Sequence, residues 1–312
     1  MAAILNGQKD IEATLNCIKA LGCSYSVNED KISILGKSPI EGIPTLDCIE
    51  SGSTLRFLIP VALALTDTVS FVGTERLIDR GIGVYEKIMN EQGIEVKKEK
   101  NCLSFNGKLK SGIFEIDGSI SSQFITGLLF ALPMLDGDSI IKIIPPINSK
   151  NYIDITLCIL SYYGIKYEID GNNIKVPGNQ KYVAKDNEVE GDYSNAAFLE
   201  AFNYFGSDIE VNKLNSSSLQ GDKVYIELFK KLNDGSPEID ISNCIDLGPI
   251  LFTFAAMKNG ARFTGTSRLA IKESNRAEAI KEELSKIGAE IENDANSVYV
   301  RDNSLNYDRE VT

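Results

Sequence analysis

The chain has 312 residues, 43% hydrophobic and 24% charged, which is typical of a globular protein long enough for about two domains. A net charge of −12 argues against a nucleic-acid surface, and no apolar run reaches the roughly 18 residues of a membrane helix. Histidine is absent, which excludes histidine-dependent triads and HExxH zinc sites. We expect a cytosolic protein without nucleic-acid, membrane or metal partners.

The six cysteines are scattered without C-x-x-C spacing, which argues against a zinc site or a dense disulfide framework. We expect reduced thiols that mostly pack in the interior. They are Cys17, Cys23, Cys48, Cys102, Cys158 and Cys244.

Four segments repeat one plan: an amphipathic helix, a glycine, a strand, a polar turn and a second strand. In chain order they are "IEATLNCIKALGCSYSVNEDKISIL", "VYEKIMNEQGIEVKKEKNCLSF", "ITLCILSYYGIKYEIDGNNIKV" and "AIKEELSKIGAEIENDANSVYV". In the first, Ile11, Leu15, Ile18 and Leu21 fall on one helical face. Each helix is followed by a glycine suited to a left-handed C-cap. These glycines are Gly22, Gly93, Gly164 and Gly288.

The glycines define a period. Gly22, Gly93 and Gly164 lie 71 residues apart, and one further step reaches Gly235, behind the helix-like "VYIELFKKLND". Gly288 follows after a shorter interval of 53 residues. A fixed period of this kind predicts a repeated structural unit.

A second type of segment lies about 40 residues before each of the last four glycines, a spacing typical of a repeat. These segments are "STLRFLIPVALAL", "SSQFITGLLFALPML", "YSNAAFLEAF" and "LGPILFTFAAM". They are apolar on most faces and begin near Ser, Thr, Asp or Gly, so we predict buried helices with N-caps. We predict an apolar strand after each, as in "TVSFVG", which makes the unit β-α-β-α-β-β.

Each unit offers two polar clusters, and both precede helices. A helix N-terminus attracts anions, and arginine adds a bidentate grip on phosphate or carboxylate. Serine at a helix start is also an ordinary cap, so recurrence and nearby charge carry the functional interpretation. The clusters before the buried helices are Gly52/Ser53/Arg56, Ser121/Ser122/Gln123, Asp192/Ser194/Asn195 and Asp246/Gly248. Those before the amphipathic helices are Glu75/Arg76/Asp79/Arg80, Asn148/Ser149/Lys150/Tyr152, Ser217/Gln220/Asp222/Lys223 and Arg268/Lys272/Glu273/Arg276.

Asp246 stands out among these residues. It lies in the apolar stretch "NCIDLGPILF", where a partly buried carboxylate needs a partner or a raised pKa. We therefore expect Asp246 to have a chemical role.

These motifs together resemble those of the 5-enolpyruvylshikimate-3-phosphate synthase family of enolpyruvyl transferases. The resemblance runs nearly end to end, and the order and spacing of the motifs make it specific. They are "SGSTLRF", "ERLIDRGIG", "DGSISSQF", "SKNYIDIT", "VEGDYSNAAF", "LQGD", "IDLGPILF" and "KESNR".

The resemblance implies an α/β (α+β) fold of two globules built from repeated βαβαββ units, an inside-out α/β barrel with the active site between the globules. It places residues 1–189 in the first globule and 190–312 in the second, each incomplete at one end. It also implies a monomer that needs no metal or organic cofactor.

The implied reaction transfers the carboxyvinyl group of phosphoenolpyruvate to the 5-hydroxyl of shikimate 3-phosphate and releases phosphate. The partners are therefore two small anions. The implied proton-handling carboxylates are Asp246 and Glu273. The implied contacts to shikimate 3-phosphate are Ser121, Ser122, Gln123, Ser149, Tyr152, Asp246 and Lys272. Those to phosphoenolpyruvate are Gly52, Ser53, Arg80, Gln123 and Arg276.

The family pattern also includes an early "SKS" followed by "HR", and a late "DHR" with a further lysine, none of which occurs in these 312 residues. The repeat places them before the first residue and after the last. Since their lysines and arginines touch substrate, we expect this chain alone to be weakly active or inactive.

Two alternatives stay open. A UDP-N-acetylglucosamine enolpyruvyl transferase would carry a cysteine near Arg80, but "GTERLIDRGIGVYEK" has none. A noncatalytic anion-binding fragment would bind substrate without turnover. RNA 3′-phosphate cyclase, with a related repeat, depends on histidine.

Overall fold

The computed structural model describes residues 9–36, 38–271 and 274–302. The chain divides into two compact units. The first comprises residues up to Ile147 together with Thr156–Lys185, and the second comprises Asn148–Ile155 and the residues from Asp186 onward. The division into globules at residues 189 and 190 stays a prediction.

From Lys9 onward, the first unit consists of a helix and a two-stranded antiparallel hairpin, followed by a four-stranded sheet in the order β3-β4-β6-β5. In that sheet β3 and β4 are parallel and the other pairs are antiparallel. The elements are α1 (Lys9–Ala20), β1 (Ser24–Asn28), β2 (Lys31–Leu35), β3 (Thr45–Asp47), α2 (Gly52–Leu65), β4 (Thr68–Val72), α3 (Glu75–Asp79), α4 (Gly83–Glu91), β5 (Glu95–Glu99) and β6 (Cys102–Asn106).

The next repeat builds a second sheet with the same order, β7-β8-β10-β9, and again only its first two strands are parallel. A 3₁₀ turn, Leu132–Met134, extends its buried helix. The elements are β7 (Ile113–Asp117), α5 (Ser122–Ala131), β8 (Ser139–Ile144), α6 (Lys150–Tyr162), β9 (Glu168–Asp170) and β10 (Asn173–Val176).

The second unit contains a third sheet of this kind, β11-β12-β14-β13, packed with helices. Its elements are α7 (Tyr193–Ala201), α8 (Tyr225–Asp234), β11 (Glu238–Asp240), α9 (Gly248–Ala256), β12 (Ala261–Thr264), α10 (Arg276–Lys286), β13 (Ile291–Asn293) and β14 (Ser297–Val300). The predicted mixed α/β class is therefore confirmed. The sheets of the described residues are open, and none closes into a barrel.

The repeat is confirmed by the backbone of its glycines. Gly22, Gly93, Gly164 and Gly288 have φ of +89°, +72°, +85° and +93°, the left-handed conformation predicted for helix C-caps. Gly235 differs, because its φ of 174° is extended. The chain there runs from α8 directly into β11 and needs no left-handed reversal.

This difference explains the short interval of 53 residues between Gly235 and Gly288. The shortfall of 18 residues equals the length of segment 94–111, which carries the β5–β6 hairpin in an earlier copy. The copy around α7 and α8 has no hairpin, and the next copy begins directly with β11. The shortened interval therefore marks the copy that has no hairpin.

The prediction of a strand after the third buried helix, α7, is wrong. Residues 206–215 form no strand. One backbone hydrogen bond joins them to the segment before α7, from Gly191 N to Lys213 O at 3.1 Å. In the other copies the equivalent strands, β4, β8 and β12, lie inside a sheet and pair with the hairpin. Without that hairpin a strand here would lack its antiparallel neighbour.

The buried helices begin where predicted, and a repeated turn leads into two of the predicted caps. Asp47 and Asp117 each end a first strand and accept a hydrogen bond at 2.8 Å from the backbone N–H two residues later. The side chains of Ser51, Ser121 and Asp192 then cap α2, α5 and α7. The turns after Asp47 and Asp117 thus place the polar residues at the N-termini of α2 and α5.

Three of the six cysteines are buried, as expected for packed thiols. Cys17 and Cys48 are fully buried with their Sγ atoms 4.0 Å apart, and Cys244 is buried in the second unit. Cys158 is exposed. Within the described ranges we find no helix with the length and apolar content to cross a membrane.

Candidate active site

In the first unit, two arginines converge on the start of helix α2. A Cβ placed on Gly52 would lie 3.1 Å from Arg80 Nη1 and 3.4 Å from Arg56 Nη1. Glycine leaves both guanidinium groups room beside the helix N-terminus, which itself carries partial positive charge. Two cations at a helix start form a site for carboxylate or phosphate.

Helix α5 contributes a second set of predicted residues to the same region. Arg56 Nη1 donates to Gln123 Oε1 at 2.7 Å, which connects α2 with the first turn of α5. Ser121 caps α5 by accepting from Gln123 N at 3.3 Å, and Ser122 is buried. Because Ser121 accepts through Oγ, its hydroxyl proton can be donated elsewhere.

Ser53 lies on the first turn of α2, next to Gly52. Its Oγ is 3.2 Å from the Oγ of Ser51, the residue that caps the helix. The predicted residues Gly52, Ser53, Arg80 and Gln123 are thus grouped in the first unit, with Arg56 linking them.

In the second unit, Asp246 forms the centre of a hydrogen-bonded group. It lies in the 3₁₀ turn Ile245–Leu247 that precedes α9. Its Oδ1 accepts from Arg276 Nη1 at 2.7 Å, and its Oδ2 accepts from the Tyr152 hydroxyl at 3.4 Å. Both side chains of the Asp246–Arg276 ion pair are 28% exposed. Asp246 thus has the partner that its apolar setting required.

The Tyr152 hydroxyl keeps its proton. Its removal from water raises the pKa of Tyr152 above the ordinary value, and the carboxylates of Asp222, Asp246 and Asp192 raise this pKa further. The residue as a whole stays 41% exposed, so part of its side chain can be reached by a ligand. Asp222 is buried and accepts a hydrogen bond from the Ser194 hydroxyl.

Ser149 is held in an unusual backbone conformation by two partners. Its φ is +54°, and it is 3% exposed. Its N–H donates to Asn243 Oδ1 at 3.2 Å, and its Oγ accepts from Arg268 Nη2 at 3.0 Å. Arg268 also donates to the carbonyl of Ser242. Burial lowers the pKa of Arg268, which as a guanidinium still stays charged near neutral pH.

Two predicted residues, Lys272 and Glu273, lie outside the described residues. Four others join the site without having been predicted as substrate contacts: Arg56, Asp222, Asn243 and Arg268. Arg56, Asp222 and Arg268 belong to polar clusters visible in the sequence, whereas no sequence pattern marks Asn243. Among the described residues, no group of three or more histidine, cysteine, aspartate or glutamate side chains is placed to hold a metal ion.

The chain is thus a repeated α/β protein in which two guanidinium groups lie beside the start of helix α2, an arrangement that suits a small anion. A family model, "EPSP synthase (3-phosphoshikimate 1-carboxyvinyltransferase)", matches residues 4–236 and 231–307. The chain belongs to the EPSP synthase family.

Curated relatives are similar over nearly the whole chain. The 3-phosphoshikimate 1-carboxyvinyltransferase of Clostridium kluyveri is 40% identical over 306 residues, covering 91% of this chain and 71% of that protein. The enzyme of the same name from Clostridium beijerinckii is 41% identical, covering 90% and 72%. The chain therefore spans about seven tenths of the length of these relatives.

The fold is also similar to solved structures. EPSP synthase from Acinetobacter baumannii superimposes with a TM-score of 0.73 at 20% identity, covering 94% of this chain and 74% of that one. The family match does not favour the UDP-N-acetylglucosamine enolpyruvyl transferase alternative.

Proposed function

We propose that this chain transfers the carboxyvinyl group of phosphoenolpyruvate to the 5-hydroxyl of shikimate 3-phosphate and releases inorganic phosphate. Family membership supports the reaction. The observation that carries the assignment to this site is the pair of guanidinium groups, Arg56 and Arg80, meeting at Gly52. Both substrates are small multivalent anions, which suits a site of this charge.

The reaction is an addition followed by an elimination. A proton adds to the methylene carbon of phosphoenolpyruvate, and the 5-hydroxyl oxygen bonds to C2 as it loses its proton, giving a tetrahedral ketal. The bond from C2 to the phosphate oxygen then breaks, and the methyl carbon returns a proton as the vinyl ether forms. The protein must supply a positioned acid and base together with fixed positive charge.

In the first unit, Arg80 and the start of α2 hold the anionic groups of phosphoenolpyruvate. Gly52 leaves the space for it, and Ser53 and Gln123 add polar contacts. Ser121 and Ser122, at the start of α5, bind shikimate 3-phosphate, as does Gln123. The geometry supports these roles because these side chains lie around two helix N-termini.

In the second unit, Asp246 accepts the proton of the attacking hydroxyl, and Tyr152 and Ser149 contact shikimate 3-phosphate. Arg276 pairs with Asp246 at 2.7 Å, and we assign its charge to phosphoenolpyruvate when substrate is bound. The roles of Lys272 as a phosphate contact and Glu273 as a proton carrier stay predictions.

Binding calorimetry tests the proposed substrates. We expect both shikimate 3-phosphate and phosphoenolpyruvate to bind. UDP-N-acetylglucosamine should give no heat. Binding of the nucleotide sugar in place of shikimate 3-phosphate would contradict the proposal, and binding of both proper substrates without product would favour the noncatalytic fragment.

Gly52→Ala should weaken phosphoenolpyruvate binding about tenfold, because the new methyl group would lie 3.1 Å from Arg80 Nη1 and displace that guanidinium. Shikimate 3-phosphate should bind nearly unchanged. Calorimetry with each substrate measures both effects. An equal loss for the two substrates would make Gly52 merely structural.

A further inference from the structure

We propose that Arg56 is a positioning residue that fixes the side-chain amide of Gln123 with its NH₂ group turned toward the ligand. The inference rests on the proposed function, since it concerns the polarity that the same site presents to substrate. The proposed role is the orientation of Gln123, and it comes in addition to the positive charge of Arg56 at the site.

The argument begins with the chemistry of the contact. A guanidinium group donates hydrogen bonds and accepts none. The Gln123 atom that lies 2.7 Å from Arg56 Nη1 must therefore be the carbonyl Oε1, and the reversed amide would oppose two donors. The Nε2 group then points away from Arg56. On that side Gln123 can only donate hydrogen bonds.

Arg56 is itself held by the interior of the first unit. It is 9% exposed, and its guanidinium carbon lies 5.2 Å from the centre of the Phe124 ring. The Tyr85 hydroxyl lies 2.8 Å from Arg56 O and 2.9 Å from Phe124 O. Burial raises the pKa of Tyr85 well above its ordinary value, so this hydroxyl keeps the proton that it donates.

Tyr85 therefore links α2 to α5 next to the contact between Arg56 and Gln123. Arg56 lies on α2, and Gln123 and Phe124 are adjacent on α5. Because the two helices are fixed here, the distance between Arg56 and Gln123 is set by the core. A ligand oxygen that accepts a hydrogen bond, as in carboxylate or phosphate, suits the donor presented at Gln123, whereas a ligand donor does not.

A double-mutant cycle tests whether Arg56 acts through Gln123. Arg56→Met and Gln123→Met should each raise the Kd of phosphoenolpyruvate, with shikimate 3-phosphate present, about tenfold or more. Because the two variants remove one shared contact, the double variant should lose less affinity than the product of the two single losses. Losses that multiply in the double variant would overturn the proposal. Arg56→Lys, which keeps a positively charged N–H donor group, should recover part of the affinity.

A matched control is Arg262→Met, an arginine in β12 that is 56% exposed and pairs with Glu238. It should leave both substrate affinities unchanged. Thermal melting of every variant establishes that it is folded.

An NMR measurement keeps the test independent of turnover. The chain has five glutamines, and selective ¹⁵N labelling gives their side-chain NH₂ signals. Gln123→Met assigns one of them. Arg56→Met should move the Gln123 signal toward that of free glutamine, while Gln92, Gln180 and Gln220, bonded elsewhere, stay in place.

An unmoved Gln123 signal in folded Arg56→Met would refute the positioning role, whatever the substrates do. If the wild-type chain binds neither substrate, the proposed function fails, but the NMR comparison still decides the role of Arg56.

Discussion

Asp246→Asn should lower kcat for carboxyvinyl transfer by about a thousandfold, the magnitude expected on losing a general base. Asparagine keeps the shape of the side chain and can still accept from Arg276, but it cannot take the hydroxyl proton. Substrate affinities should change by less than about tenfold, because the contacts of a neutral amide are similar. The measurement is the initial rate of phosphate release at saturating substrates, with calorimetry for binding.

The matched control is Asp170→Asn. Asp170 lies in β9 and is paired with Lys175 at 3.3 Å on the surface, where its carboxylate is 63% exposed. This variant should keep the wild-type rate. Equal rates for the Asp246 variant and the wild-type chain would remove Asp246 from the proton transfer.

Gly127→Ala should destabilise the first unit by about 3 kcal/mol, near the upper end of the usual cost of overpacking. The added methyl carbon would overlap the backbone oxygen of Arg56 and the Tyr85 hydroxyl, and would lie 3.2 Å from Phe57 Cα. Alanine gains up to about 1 kcal/mol in helix propensity, but a backbone carbonyl cannot move alone, so the clash outweighs that gain. Urea denaturation measures the free energy of unfolding.

Gly112→Ala is the control, because a Cβ at Gly112 would meet nothing within 4 Å. Its free energy of unfolding should stay within about 0.5 kcal/mol of the wild-type value. We also expect Gly127→Ala to weaken phosphoenolpyruvate binding, since separating α2 from α5 pulls Arg56 away from Gln123. An unchanged urea midpoint for Gly127→Ala would contradict this prediction, because it would show that α2 and α5 can move apart without loss of stability.

The repeat could be predicted because its signal is long-range and regular. Glycines at a fixed period, each behind an amphipathic helix, indicated the units, and the left-handed backbone at Gly22 and Gly93 agrees. The prediction of a strand after α7 was wrong because it used only the local residue types. Its residues resemble a strand locally, but a strand is stable only with its neighbours, and this copy has no hairpin behind Gly235 to pair with it.

Burial within a helix was less predictable than the helix itself. In α1 the residues Ala13 and Cys17 are fully buried, whereas the larger Ile11, Leu15 and Ile18 are only partly covered. The periodicity of large apolar residues indicated a helix, but the position of its neighbours decided which side packs.

For the site, residue types at helix starts predicted which side chains would gather, but not their partners. No pattern in the sequence indicated that Arg56 would bond Gln123, 67 positions later, or that Asn243 would hold the backbone of Ser149. Such contacts depend on how helices cross and strands end. Adjacent motifs can indicate a site, while its hydrogen-bond pattern requires the tertiary structure.

Turnover by this chain is the most direct test of the central claim. The chain is incubated with phosphoenolpyruvate and shikimate 3-phosphate, and ³¹P NMR follows both substrates over hours so that slow conversion is detected. We predict loss of the phosphoenolpyruvate signal, release of inorganic phosphate and a new vinyl ether product only when both substrates are present, at the low rate expected for this chain. Phosphate release that does not depend on shikimate 3-phosphate, or product formation with UDP-N-acetylglucosamine instead, would contradict it.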